Sequence, residues 1–177
     1  MRILVLGGIR SGKSEWAETA IAESTGAGEP VCYLATGAPP GIDDDWSARV
    51  AAHRSRRPPH WSTVETADVT TQLRLHPRTA TLVDDVGGWL TAVMDRRGAW
   101  TDGSVAADVD DLLDAVGAFG SPLTLVTPEV GLTVVPATES GRRFADELGT
   151  LNQRLATLCD RVVLVLAGQP LTLKEPS

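Results

Sequence analysis

The run Gly7-Gly8-Ile9-Arg10-Ser11-Gly12-Lys13-Ser14 sets two glycines, a lysine and a hydroxyl at the spacing G-x-x-x-x-G-K-[ST]. Phosphate binding is the chemistry this spacing serves. Successive backbone N–H groups of a glycine-rich turn, joined to the positive end of a helix beginning near Ser14, form a concave donor surface for polyphosphate oxygens. Lys13 adds a compact charge at the β and γ phosphates, and Ser14 offers a hydroxyl to Mg²⁺. The chain has two lysines against fourteen arginines, so a lysine at this point of the motif is informative. An apolar run, Ile3-Leu4-Val5-Leu6, precedes the motif, and Trp16, Ala17, Ala20 and Ile21 follow it at helical spacing. This is the strand, loop and helix context that the motif requires. The alternative is a plain glycine-rich turn that merely joins strand to helix.

Two further features bear on the same chemistry. Thr81-Leu82-Val83-Asp84-Asp85 is an apolar strand ending in two carboxylates, and Asp84 is expected to hold Mg²⁺, directly or through water, opposite the loop. Asp85 is the other candidate, and turn chemistry before Gly87-Gly88 is an alternative reading of the pair. Of the three histidines, His60 and His76 stand beside prolines in polar stretches and read as surface residues. His53 shares a face with Trp46 and Val50 on a helix that Asp43, Asp44 and Asp45 would open, and Arg54, Arg56 and Arg57 follow it. A neutral imidazole nitrogen is a competent nucleophile toward phosphorus, and those guanidiniums would neutralise an incoming nucleotide. A half-buried helix histidine is the bland alternative.

Apolar, β-branched runs that could position these groups recur at 2–6, 31–35, 81–83, 123–127 and 162–166, with helical patterns between them. The alternation predicts an α/β fold, a mostly parallel sheet flanked by helices, in one domain spanning 1–177. Phe144, Leu148, Leu151, Leu155 and Leu158 predict a helix over 140–159 with those residues in the core. In such a sheet the loops after residues 6, 35, 83 and 127 should share one rim, where ligands bind. A formal charge of −7 excludes broad nucleic-acid binding, which needs a basic face. Cys32 and Cys159 have no metal-ligand spacing and fit a reducing compartment. With no stretch near the roughly 20 apolar residues of a membrane span and no leader-like start, a cytoplasmic location is expected.

The phosphate loop, then Tyr33-Leu-Ala-Thr-Gly37, Arg49-Val-Ala-Ala-His53, and Arg57-Pro-Pro-His-Trp61 with Thr63 and Glu65, occur in an order that resembles the bifunctional adenosylcobinamide kinase and adenosylcobinamide-phosphate guanylyltransferases. Glu129-Val-Gly131, Val135-Pro136, Arg142-Arg-Phe144, Asp146, Gly149 and Asn152-Gln153 agree. The resemblance implies a P-loop NTPase-like fold that phosphorylates adenosylcobinamide with ATP or GTP. It then implies transfer of GMP from GTP onto the new phosphate through a guanylylated His53. The nucleotide site it implies comprises Gly7 to Ser14, Ala35, Thr36, Gly37, Arg54, Ser55, Arg56, Arg57, Glu65 and Asp84, with Mg²⁺ at Ser14 and Asp84. Glu65 can accept from the guanine N1–H and amine. A corrinoid substrate and a homotrimer are implied as well. Pro128, Thr133 and Asp85 depart from the family's usual residues. A kinase without nucleotidyl transfer, which would have no use for a histidine nucleophile, is the competing reading. A nucleotide-hydrolysing switch protein is the other alternative, and the single asparagine, Asn152, weighs against a Ras-like one because it precedes Gln153 and cannot supply an Asn-Lys-x-Asp motif.

Overall fold

The computed structural model describes residues 1–26, 28–37 and 57–176. Seven strands form one sheet among these residues: β1 (Arg2–Gly7), β2 (Val31–Ala35), β3 (Ser62–Glu65), β4 (Ala80–Asp84), β5 (Leu123–Pro128), β6 (Arg161–Leu166) and β7 (Gln169–Lys174), in the order β3-β2-β4-β5-β1-β6-β7. All pairings are parallel except β6 with β7. The inner strands are buried on both faces, as their unbroken apolar runs require, with Leu4, Val5, Leu34 and Val126 fully excluded from water.

Helix α1 (Lys13–Thr25) covers one face through Ala17, Ala20 and Ile21, which pack on Ile3, Val5, Tyr33 and Leu82. The opposite face carries α2 (Val69–Leu75), α3 (Val86–Arg97), α4 (Ala106–Ala118) and α5 (Glu139–Leu158). Side chains that alternate along each strand therefore belong to two separate clusters. Capping fixes the helix ends: the Asp68, Asp85 and Thr138 side chains accept from the Thr71, Gly88 and Gly141 amides, and Gly98 closes α3 in the left-handed region at φ 61°. Arg96 and Arg97 end α3 and pair with Asp108 at 2.9 and 2.8 Å, a pair that draws the Asp108 carboxyl below its ordinary range.

The five anticipated strand runs are present within a residue or two. Helix α5 occupies Glu139–Leu158, with Leu148, Leu151 and Leu155 buried and Phe144 and Leu158 only partly so. Strands β3 and β7 escape sequence reading because neither is an apolar run: β3 is largely exposed and β7 wholly so. A two-residue turn, Ala167-Gly168, joins β6 to β7 with φ 49° and 77°, the paired positive values of a type I′ hairpin. The expected helix opened by Asp43, Asp44 and Asp45 lies outside the described residues. No described helix is long and apolar enough to cross a membrane.

One buried polar residue ties the second layer to the rim. Asn152 of α5 takes the Thr127 hydroxyl at 2.7 Å and donates to the Pro128 carbonyl at 3.1 Å. Asn152→Ala leaves both without a partner, which should lower unfolding free energy by about 1–3 kcal/mol. Urea denaturation checks this, with an unchanged midpoint as the contrary result.

Candidate active site

Side-chain-free approach and left-handed backbone shape the phosphate loop. A Cβ on Gly7 would stand 2.3 Å from the Ser11 Oγ and 2.9 Å from the Val165 carbonyl, so only glycine fits beneath the turn. Gly12, the N-cap of α1, has φ 91°, and Arg10 at the tip has φ 56°. Neighbouring elements hold this shape. The Gly168 amide donates to the Ser11 carbonyl at 2.8 Å, and the Glu129 amide to the Gly7 carbonyl at 3.1 Å. The β6–β7 hairpin turn thus presses on one side of the loop and the end of β5 on the other. Gly168 is a loop-supporting position that sequence reasoning missed, and the only signal for it was Ala-Gly between two strand-like runs. Lys13 lies back across the loop, its Nζ 3.3 Å from the Gly8 carbonyl, while Ile9 and Arg10 are exposed.

Asp84 ends β4, and β5 lies between β4 and β1. Two strand spacings separate the acidic strand end from the loop, roughly 10 Å. That gap suits a cation and a phosphate held between side chains reaching from both sides. Register places Ala35 beside Asp84, and Asp84 beside Val126. Asp84 follows the alternation of Leu82 onto the α1 face, where the Tyr33 hydroxyl donates to its Oδ2 at 2.5 Å. Asp85 is committed elsewhere, since its Oδ1 takes the Gly88 amide at 2.7 Å as N-cap of α3. Burial raises the Asp85 carboxyl above its ordinary value and the Asp84 charge adds to this, while the Gly88 amide and Lys13 pull it down.

Thr36 locks the loop after β2 to this strand end. Its hydroxyl donates to the Asp85 carbonyl at 2.6 Å and accepts from the Asp85 amide at 2.9 Å, and its amide donates to the Asp84 carbonyl at 3.1 Å. A Cβ on Gly88 would lie 2.7 Å from the Thr36 Oγ1, and one on Gly87 2.9 Å from the Pro128 Cγ. The paired glycines therefore admit the Thr36 loop and Pro128 rather than merely making a turn.

The predicted residues Ala35, Thr36 and Gly37 lie with Asp84 on the rim. Glu65 is exposed at the carboxyl end of β3, four strand spacings from β1, roughly 19 Å along the rim. Arg57 points inward: its side chain is 8% exposed, its Nε is 3.8 Å from Glu18 Oε1, and its guanidinium lies 3.3 Å from the Tyr33 ring centroid. His53, Arg54, Ser55 and Arg56 lie outside the described residues. Ser14 and Asp84 supply hard oxygen donors of the kind Mg²⁺ accepts alongside phosphate and water. No group of three or more His, Cys, Asp or Glu side chains suited to a metal occurs among the described residues. A cavity of about 630 Å³ opens on the α5 side of the sheet, lined by Leu6, Glu129, Pro136, Arg142, Asp146 and Gly149 among others.

Residues 3–173 match the family model described as cobinamide kinase / cobinamide phosphate guanyltransferase. The chain belongs to that family. The bifunctional adenosylcobalamin biosynthesis protein CobP of Pseudomonas aeruginosa is 41% identical over 183 residues, 99% of each chain. Its Escherichia coli counterpart CobU is 34% identical over 181 residues, covering 95% of this chain and 97% of the relative. Among solved structures, an ATPase of a bacterial type III secretion system superposes with a TM-score of 0.57 at 14% identity. The superposition covers 92% of this chain and 50% of the ATPase, a likeness of fold alone. This chain thus shares its fold with about half of a larger ATPase.

Lys13→Ala removes the loop ammonium whose Nζ lies 3.3 Å from the Gly8 carbonyl. Losing a charge-assisted contact should weaken nucleoside triphosphate binding roughly ten- to a hundredfold. The melting temperature should stay within about 2 °C of the parent. Titration with a fluorescent GTP analogue checks this, and unweakened binding contradicts the role given to Lys13.

Proposed function

We propose that this enzyme phosphorylates the aminopropanol hydroxyl of adenosylcobinamide, using ATP or GTP, and then transfers GMP from GTP to the resulting phosphate, yielding adenosylcobinamide-GDP. What supports the reading is the family match along almost the whole chain, joined to a glycine loop after β1 that lies two strands along the rim from Asp84. We place the reaction in the cytoplasm and the assembly as a homotrimer.

In the first step the loop amides and Lys13 hold the β and γ phosphates in line with the acceptor hydroxyl. The hydroxyl oxygen bonds to the γ phosphorus as the bond to the β–γ bridging oxygen breaks; the nucleoside diphosphate leaves and the hydroxyl proton passes to solvent. Mg²⁺, held by the Ser14 hydroxyl and the Asp84 carboxylate, would supply charge neutralisation on the phosphates. We assign the acceptor's arm to the cavity lined by Glu129, the residue whose amide donates to the Gly7 carbonyl.

Guanylyl transfer needs a nucleophile, and His53 is the residue we assign. Its imidazole lone pair attacks the α phosphorus, the α–β bridging bond breaks, and pyrophosphate leaves. A phosphate oxygen of the corrinoid then displaces the imidazole. Arg54 and Arg56 balance charge on the phosphates. Glu65 reads the guanine edge, and Ser55 and Arg57 complete the nucleotide site.

Incubation with α-³²P-GTP and Mg²⁺ should leave an acid-labile, base-stable label on the protein. His53→Ala should reduce that label and guanylyl transfer at least a hundredfold while keeping most of the kinase rate, since phosphoryl transfer to a hydroxyl needs no protein nucleophile. Covalent labelling of His53→Ala at the parental rate would assign the nucleophile to another residue.

A further inference from the structure

We infer that Tyr33 is a positioning residue for the metal-binding carboxylate of Asp84, clamped in place by the Arg57 guanidinium and the Glu18 carboxylate. This rests on the assignment of Asp84 to the Mg²⁺ site.

Tyr33 is the chain's one tyrosine, and it lies in the apolar run Val31–Ala35, where a phenol has no evident packing advantage. Alternation puts Tyr33 and Ala35 on the α1 face of β2, and register sets them beside Leu82 and Asp84 of β4. A tyrosine ring is long enough to reach the diagonal neighbour on the adjacent strand. Here the hydroxyl meets Asp84 Oδ2 at 2.5 Å while the residue is 2% exposed.

A lone carboxylate rotates readily, because its terminal torsion has broad wells. Fixing Oδ2 fixes Oδ1, and Oδ1 is then the oxygen available to the cation or its water.

The clamp on Tyr33 comes from a different part of the chain. The Arg57 guanidinium carbon lies 3.3 Å from the ring centroid, and Arg57 donates to the Thr63 Oγ1 at 2.9 Å and faces Glu18. Glu18 is on α1, one helical turn after Ser14. The series Glu18, Arg57, Tyr33, Asp84 therefore connects the helix that carries Ser14 to the carboxylate across the rim. The carboxylate of Asp84 is thus tied by side chains to the helix on which Ser14 sits.

Tyr33→Phe keeps the ring beneath Arg57 and removes only the hydroxyl. Mg²⁺ titration of the complex with a fluorescent GTP analogue, read as binding, should show a half-saturating Mg²⁺ concentration about three- to tenfold higher than the parent. Binding of the analogue in EDTA should change less than about twofold, because the loop amides are untouched. Asp84→Asn, run in parallel, should raise the Mg²⁺ requirement at least as much.

If Asp84→Asn shifts the requirement and Tyr33→Phe does not, the positioning role is overturned and the Asp84 assignment stands. If neither shifts it, the Asp84 assignment itself fails. Should Tyr33→Phe not fold, replacement of the single tyrosine by 3-fluorotyrosine decides. Its ¹⁹F resonance should move when Mg²⁺ is added to the GTP complex and not when the same addition is made to Asp84→Asn. A resonance indifferent to Mg²⁺ in the parent overturns the inference.

Discussion

Parallel register is the constraint on which this site depends. Because β1, β2, β3, β4 and β5 all run the same way, their carboxyl ends arrive on one edge, and Gly7, Ala35, Glu65, Asp84 and Pro128 become neighbours along a single rim. One strand of opposite sense among them would send its last residue to the far side of the sheet. The position of β5 then sets the spacing, since it separates the phosphate loop from Asp84 by two strand widths, roughly 10 Å. A phosphate and a cation need about that room between side chains.

Given that frame, much of the site is shaped by exclusion of side chains. Gly7 lets the turn sit on Ser11 and Val165, Gly88 admits Thr36, and Gly87 admits Pro128. Each close approach fixes one part of the rim against another. Thr36 joins the β2 loop to the β4 end by three hydrogen bonds, and Gly168 anchors the phosphate loop from the hairpin. The electrostatics follow from burial: Asp85 has one oxygen on a helix amide and a raised carboxyl pKa, whereas Asp84 is aimed at the α1 face.

The parts legible in the sequence were those with a periodic or a chemical signature. Ile3 to Leu6, Val31 to Ala35 and Leu123 to Thr127 announce buried parallel strands by unbroken apolar content, and Gly7 to Ser14 announces its loop by residue type at fixed spacing. Strands β3 and β7 carry neither signature, being short or exposed edges whose pairing is decided by the neighbouring strand. That Asp85 rather than Asp84 caps the following helix was likewise closed to sequence, because it turns on which carboxylate the Gly88 amide captures. Tyr33, Glu18 and Arg57 are 15 to 39 positions apart in pairs, and only the packing of α1 against β2 makes them one cluster.

The central claim is that Ser14 and Asp84 face one another across β5 to hold a cation on phosphates seated in the loop. A crystal structure of the protein with a non-hydrolysable GTP analogue and Mn²⁺, with the metal located by its anomalous scattering, tests this directly. The account predicts triphosphate oxygens on the amides of the loop from Gly8 to Ser14, and Mn²⁺ between the Ser14 Oγ and the Asp84 carboxylate, directly or through one water. Mn²⁺ on Asp85, with that carboxylate withdrawn from the Gly88 amide, or a triphosphate seated away from the loop, would contradict it.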